Sequence, residues 1–205
     1  MRPKISLIIP VYNAEDTLQR ALDSVPVRND IQIIIVDDGS TDRSWEIALD
    51  WWRDHAVDGN GSTIHRWENN KGVASALNLG FELARGEYIV WLSSDDWFKE
   101  DFTHIWPYLD GENDLVFFDL EVNDGSIWRV TPESKKLYVG GVKFIRREFM
   151  GDNRIPTLKW HEDVPFANKL YSMNPKEVFT GIVLKRYDFP RVGSLTWQAT
   201  HKEQK

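Results

Sequence analysis

Hydrophobic residues in this chain come in short blocks, and the spacing inside the blocks switches between two periods. Residues 4–9 form a continuous β-rich run, as expected for a strand covered on both faces. Leu18, Ala21, Leu22 and Val25 then recur at helical spacing. Asn13 stands where it can cap that helix, and Pro26 with Arg28-Asn29-Asp30 breaks it. Residues 31–36 read as a second buried strand, ending at Asp37-Asp38-Gly39-Ser40. A helix follows with Trp45, Ala48, Leu49 and Trp52 on one stripe. After the loop Asp58-Gly59-Asn60-Gly61-Ser62, residues 63–67 read as a short third strand. From Gly72 a helix turns Val73, Ala76, Leu77, Gly80 and Ala84 inward and is closed by Gly86. Residues 88–92 form a fourth strand, followed at once by Ser93-Ser94-Asp95-Asp96.

Strands alternating with helices of this length predict an α/β fold, a mostly parallel sheet with helices on both faces. Past about residue 112 the rhythm weakens. Residues 115–122 and 127–130 read as strands around the turn Asn123-Asp124-Gly125, a hairpin. Residues 141–149 and 164–171 read as helical, and 178–184 as a strand. A length of 205 residues suits one domain. Its expected halves run over about 1–112 and about 113–205.

Composition narrows the function classes. With 25 basic against 32 acidic side chains the net charge is −7. That disfavours nucleic acid, whose backbone needs clustered Lys and Arg. Any phosphate must therefore be met locally, by a metal, backbone amides or a few basic residues. Cysteine is absent, which removes thiol nucleophiles and zinc–thiolate sites. No apolar run approaches the roughly 20 residues of a membrane span, so no transmembrane segment is expected and peripheral membrane contact stays open. Met1-Arg2-Pro3-Lys4 leads straight into a strand, so the expected location is cytoplasmic, the inner face of the membrane included. Ten Trp side chains are available for core packing or for stacking on sugars, Trp97, Trp128 and Trp160 among them.

In open α/β sheets, ligands bind beyond the carboxyl ends of the strands. Three such ends carry polar turn sequence: Pro10-Val11-Tyr12-Asn13, Asp37-Asp38-Gly39-Ser40 and Ser93-Ser94-Asp95-Asp96. A nucleoside diphosphate needs an aromatic face and an acceptor for its base, which Tyr12 and Asp38 can supply. Its phosphates need a hard divalent cation, and that cation needs carboxylate oxygens. Adjacent residues leaving a strand point to opposite sides. On that basis Asp96 is assigned to metal and Asp95 to ribose. Lys71 and Arg191 are the candidate phosphate contacts.

In this order and register, Ser6-Leu7-Ile8-Ile9-Pro10-Val11-Tyr12-Asn13-Ala14-Glu15 and Ile35-Val36-Asp37-Asp38-Gly39-Ser40-Thr41-Asp42 resemble the opening of family 2 glycosyltransferases. Residues 69–80, 84–89 and Ser94-Asp95-Asp96 continue the resemblance. His161-Glu162-Asp163 is similar to the family's late Glu-Asp motif, and Gly193-Ser194-Leu195-Thr196 to a segment that follows it. The resemblance implies a GT-A fold, with a Rossmann-like nucleotide-binding half and an acceptor-binding half. It implies transfer of a sugar, with inversion, from a nucleoside diphosphate donor, most commonly a UDP-sugar, with Mn2+ or Mg2+ as cofactor. The acceptor would be a glycan or lipid-linked hydroxyl, in surface polysaccharide or glycan biosynthesis. Pro10, Tyr12 and Asp38 would line the uridine site, and Asp95 and Asp96 would hold ribose, diphosphate and metal. Asp163 would be the catalytic base, with Glu162 as alternative. Two positions depart from the pattern: Ser93 stands where the family often has Asp, and Leu77 where many members carry Arg.

A pyrophosphorylase would need a Gly-rich basic loop after the first strand, and a dinucleotide dehydrogenase would need Gly-x-Gly-x-x-Gly there. Pro10-Val11-Tyr12-Asn13 is neither. The alternative that survives is a non-catalytic nucleotide-sugar or carbohydrate-binding protein on the same fold.

Overall fold

The structure, a computed structural model, describes residues 2–55, 59–99, 102–137, 141–158 and 161–188. Arg191, Trp160 and the segment 193–196 lie outside the described residues. Strand β1 (Ile5–Val11) is buried at all seven positions, and so is β2 (Ile31–Asp37), as their unbroken apolar runs require. They pair in parallel from Ile5↔Ile31 to Val11↔Asp37. Strand β3 (Thr63–Arg66) joins β2 on its far side, and β4 (Tyr88–Trp91) joins β1, both in parallel. Fully burying one Ile, Leu or Val side chain contributes about 1.5–3 kcal/mol, enough to offset about 1–2 kcal/mol of backbone ordering per residue.

The helices between these strands are α1 (Leu18–Asp23), α2 (Ser44–His55) and α3 (Val73–Leu83). Leu18, Ala21 and Leu22 of α1 are buried, as their spacing predicts. Asn13 does not cap α1. It sits at φ 45° and accepts from the Thr41 amide at 2.9 Å through its side chain, tying the end of β1 to the turn after β2. In α2 the buried residues are Ser44, Ala48 and Trp51, rather than the Trp45–Ala48–Leu49–Trp52 stripe. Trp51 is 4% exposed, while Trp52 packs against the same core only partly buried, and Ser44 at the start of the helix accepts from the Ala14 amide at 2.7 Å. Helix α3 lies so close to β1 that a Cβ on Gly80 would stand 2.4 Å from Ile8 Cγ2. Gly86 has no positive φ and is not a left-handed cap. Its place is against β1, where a Cβ would meet the Ser6 amide nitrogen at 2.4 Å.

Beyond β4 the sheet continues, with pairing directions that local periodicity does not encode. Strand β5 (Trp97–Phe98) precedes a 3-10 helix over Phe102–Tyr108. Strands β6 (Leu115–Val122) and β7 (Ile127–Trp128) form the expected hairpin. Residues 141–149 are not one helix but strand β8 (Lys143–Arg146) followed by the short α4 (Arg147–Met150). Strand β8 pairs antiparallel with both β4 and β6, and this long-range pairing overrides the local pattern. Helix α5 (Asp163–Ser172) and strand β9 (Glu177–Tyr187) fall where the sequence puts them. The sheet order is β3-β2-β1-β4-β8-β6-β9-β5, with β7 at the side of β6. The α/β architecture is as expected, but parallel pairing is confined to β1–β4 and to β6 with β9.

Candidate active site

The chain runs β1, β2, β3 to one side and returns through α3 to place β4 on the other side of β1. This reversal opens a crevice beyond the carboxyl ends of β1 and β4, where doubly wound sheets bind their ligands. The three polar strand ends therefore share one rim. Pro10 is buried within β1, opposite Val36, while Tyr12 just past the strand is 46% exposed. The amide of Asp38 donates to the Val11 carbonyl at 2.8 Å, and Thr17 Oγ1 donates to the Ser94 carbonyl at 2.8 Å. These bonds lace the loops after β1, β2 and β4 together.

The Asp37-Asp38 pair divides its work. Asp37 is fully buried and accepts from the Ser40 amide and hydroxyl, with Arg66 Nε 3.3 Å from its second oxygen. Asp38 accepts from the amides of Lys71 at 2.7 Å and Gly72 at 2.8 Å, one on each carboxylate oxygen. Burial nevertheless pushes the Asp38 carboxyl above the usual carboxylate range. Gly39 stands at φ 75° with its α-carbon pressed on the 69–70 backbone, and a Cβ there would meet Asn69 C at 2.7 Å. Lys71 Nζ lies 4.3 Å from the centre of the Trp67 ring. Beside this turn, at the end of β3, Arg66, Trp67 and Glu68 line a cleft of about 390 Å³.

The Asp95-Asp96 pair divides differently. Asp95 is half-buried on the loop between β4 and β5, and its carbonyl accepts from Arg20 Nη2 at 3.1 Å. Asp96 is 1% exposed, with Lys185 Nζ 2.9 Å from Oδ2 and the Asp188 amide donating to Oδ1 at 3.1 Å. Burial raises the Asp96 carboxyl, and Lys185 opposes that rise. Trp97 carries the Arg20 guanidinium 3.7 Å from its ring centre, so one of its faces is already covered. Trp128 packs edge-on against Tyr187 at 5.8 Å.

Asp163 opens α5, with Glu162 as its N-cap and His161 exposed at φ 55°. Phe166 of α5 stacks on Phe81 of α3 at 5.7 Å, which fixes this helix against the first half of the sheet. Burial raises the Asp163 carboxyl, partly countered by the ammonium of Lys143. Lys143 is fully buried on β8, and desolvation lowers its pKa to about 8 while Asp163 and Glu177 hold it up. Sequence reasoning passed over Lys143, Lys185 and Arg66. A signal was present for Lys185, which directly follows the apolar run 182–184, a place where lysine stays buried only with an electrostatic reason, whereas Lys143 falls in the stretch that reads as helical. No group of three His, Cys, Asp or Glu able to hold a metal occurs among the described residues.

A mixed α/β sheet with a polar crevice at its switch point and carboxylates on the rim is the GT-A form of nucleotide-sugar-binding fold. The TarS fragment 1–349 of Staphylococcus aureus in complex with UDP-GlcNAc has this fold, with a TM-score of 0.78 and 22% identity over 94% of this chain and 60% of that one. The mannosyltransferase PcManGT of Pyrobaculum calidifontis, solved with GDP-Man and Mn2+, gives 0.72 and 21% over 97% and 60%. The chain matches the family described as "Glycosyl transferase family 2" over residues 6–181, and it belongs to that family. The poly(ribitol-phosphate) beta-glucosyltransferase of Bacillus spizizenii is 31% identical over 82% of this chain and 29% of its own length. A glycosyltransferase of Haemophilus influenzae is 35% identical over 80% and 70%. The chain spans well under half the length of the first curated relatives it matches, 14% and 28% for two of them.

Proposed function

We propose that the chain transfers a sugar from a UDP-sugar to an acceptor hydroxyl, with inversion at the anomeric carbon. The observation that carries this reading is the convergence of Tyr12, Asp38 and Asp95 on one crevice rim in a family 2 chain. The nucleoside is assigned to the rim between Pro10-Val11-Tyr12 and the Arg66–Glu68 cleft. There the exposed Tyr12 ring offers a stacking face, and Asp38 keeps lone pairs beyond those its two amides use.

The metal assignment shifts from Asp96 to Asp95. Both Asp96 oxygens are engaged, one of them by an ammonium that would repel a divalent ion, and Asp95 is the adjacent half-buried carboxylate on the same loop. One or two protein carboxylates plus substrate phosphates are the usual ligand set for Mg2+ in such sites. The residues therefore fit a cation completed by the diphosphate. When bound, Mn2+ or Mg2+ would stabilise the charge developing on the leaving diphosphate.

Asp163 is assigned as the base. Its raised carboxyl makes it a better proton acceptor than an ordinary aspartate, and it takes the acceptor hydroxyl proton as that oxygen attacks opposite the diphosphate. Glu162, at the N-cap of α5, is the second candidate. The acceptor is assigned to glycans or lipid-linked glycans, with surface polysaccharide assembly as the setting and a cytoplasmic site of action, peripheral membrane contact included. No helix among the described residues is long and apolar enough to cross a membrane. Incubation with a panel of UDP-sugars and Mn2+, read as UDP release, tests the proposal. Release from at least one donor, lost in Asp163→Asn, is expected. Donor binding with no release from any member would return the non-catalytic reading.

A further inference from the structure

Helix α3 is fixed to the first half of the sheet and grips the second half with two side chains. At its start the amides of Lys71 and Gly72 donate to Asp38, which ties the helix to the turn assigned to the nucleoside. Further along, Gly80 lies against Ile8 of β1. Asn78 and Phe81, three positions apart, share one stripe of the helix. Phe81 stacks on Phe166 of α5. The Asn78 carboxamide closes a two-bond ring on the backbone of Ile155. Its Nδ2 donates to the Ile155 carbonyl at 2.8 Å, and the Ile155 amide donates to its Oδ1 at 2.9 Å.

Asparagine is a poor helix former, because its side chain competes for backbone groups. Here it serves the backbone of a distant segment. Ile155 is 2% exposed and lies in irregular chain, so its amide and carbonyl need partners that no helix or strand supplies. Among the described residues, both hydrogen bonds between 151–158 and the first half of the sheet run through Asn78. That segment leads towards α5, with Ile155 eight positions before Asp163. Asp163 lies one turn before Phe166 on the face of α5 that Phe81 holds. Helix α3 therefore holds the approach to Asp163 at one point and the helix that carries it at another. A general base must come within hydrogen-bond reach of the proton it takes, and a displacement of about 1 Å can cost about 100-fold in rate. We propose that Asn78 is a positioning residue for sugar transfer: by holding Ile155 it sets where the Asp163 end of α5 stands relative to the nucleoside turn. The inference rests on the assignment of Asp163 as the base. The Asn78 amide and carbonyl are given to Ile155, so it acts through that segment and not on donor or acceptor.

The test compares wild type, Asn78→Ala, Asn78→Asp and Asp163→Asn in UDP release, with Mn2+ and the UDP-sugar that wild type turns over fastest. Calorimetric titration of UDP counts the competent sites in each sample, so that kcat is expressed per site. Asn78→Ala is expected to lower kcat per site at least tenfold, with donor KM and UDP affinity within about threefold of wild type. A tether that only stabilises the fold would lower the melting temperature or the number of sites and leave kcat per site unchanged. Asn78→Asp keeps the side-chain volume and the acceptor for the Ile155 amide but has no donor for its carbonyl, and it should lose kcat in the same direction. If Asn78→Ala does not fold, Asn78→Asp carries the same readout and the same expectation. If neither folds, Asn78 is a folding tether and the inference fails. A folded Asn78 variant whose kcat per site stays within about threefold of wild type, or falls only in step with UDP affinity, overturns this inference alone. A wild type that releases UDP from no donor, or an Asp163→Asn variant as active as wild type, overturns the proposed transfer or its base, and this inference with it.

Discussion

The two halves of the sheet are built by different kinds of information. In the β1–β4 half each strand pairs with a parallel neighbour reached through a crossover helix, and the burial of β1 and β2 is complete along their length. In the β5–β9 half, β8 is inserted antiparallel between β4 and β6, and β9 runs parallel to β6 with two register shifts. The first half is nearly free of buried cations. The second keeps Lys143 and Lys185 inside the sheet, facing carboxylates presented by α5 and by the β4–β5 loop. The difference is one of charge: the parallel half carries the polar strand ends of the rim, and the mixed half buries two lysines beside carboxylates.

That division can be broken at several points. The largest effect is expected from Asp163→Asn, which should lower the turnover of UDP-sugar by about 10²–10⁴-fold with UDP affinity unchanged in calorimetry. A parallel loss of UDP affinity would place Asp163 in the nucleotide site instead. Next comes Lys185→Met, which strands the Asp96 carboxylate without its ammonium. Urea unfolding should report a loss of about 3 kcal/mol, the cost of breaking a buried pair from one side. A loss below about 1 kcal/mol would mean that the pair is solvated in solution.

The buried Lys143 sharpens the comparison through pH. Its pKa in the folded chain is lowered to about 8, against an ordinary lysine value of 10.5, so between those values the unfolded chain binds more protons than the folded one. Stability should therefore rise with pH across that window, by about 2 kcal/mol between pH 8 and pH 10. Lys143→Met should lack this rise, and the difference between the two pH series isolates the group from other titrating side chains. The smallest effect belongs to the parallel half. Asn13→Ala removes the bond to the Thr41 amide and puts alanine at φ 45°, for a loss of about 1 kcal/mol in thermal or urea unfolding.

What the sequence reveals follows the same line. The four parallel strands, the three helices between them and the shared rim are legible because helical and strand periods are local properties. The motifs Pro10–Asn13, Asp37–Ser40 and Ser93–Asp96 sit at the ends of those strands. The most buried positions of α2 were not legible, because they depend on contacts distant in sequence, of which the bond between the Ala14 amide and Ser44, across 30 residues, is one. Strand β8 was missed for a similar reason: Lys143–Arg146 has no strand period of its own and is a strand only because β4 and β6 lie on either side. The ion pair at Asp96 was also out of reach. Strand alternation says that Asp95 and Asp96 point apart, but nothing local says that Lys185, 89 positions away, arrives beside Asp96.

The central claim is that the rim of the parallel half binds a nucleoside diphosphate with a cation at Asp95. The most direct test is calorimetric titration of UDP with and without Mn2+ on wild type and on Asp95→Asn. The account predicts that Mn2+ tightens UDP binding to wild type at least tenfold, and that Asp95→Asn loses this gain while keeping its metal-free affinity. UDP binding to wild type that is absent, or indifferent to Mn2+, would contradict it, and so would an Asp95→Asn variant that responds to Mn2+ as wild type does.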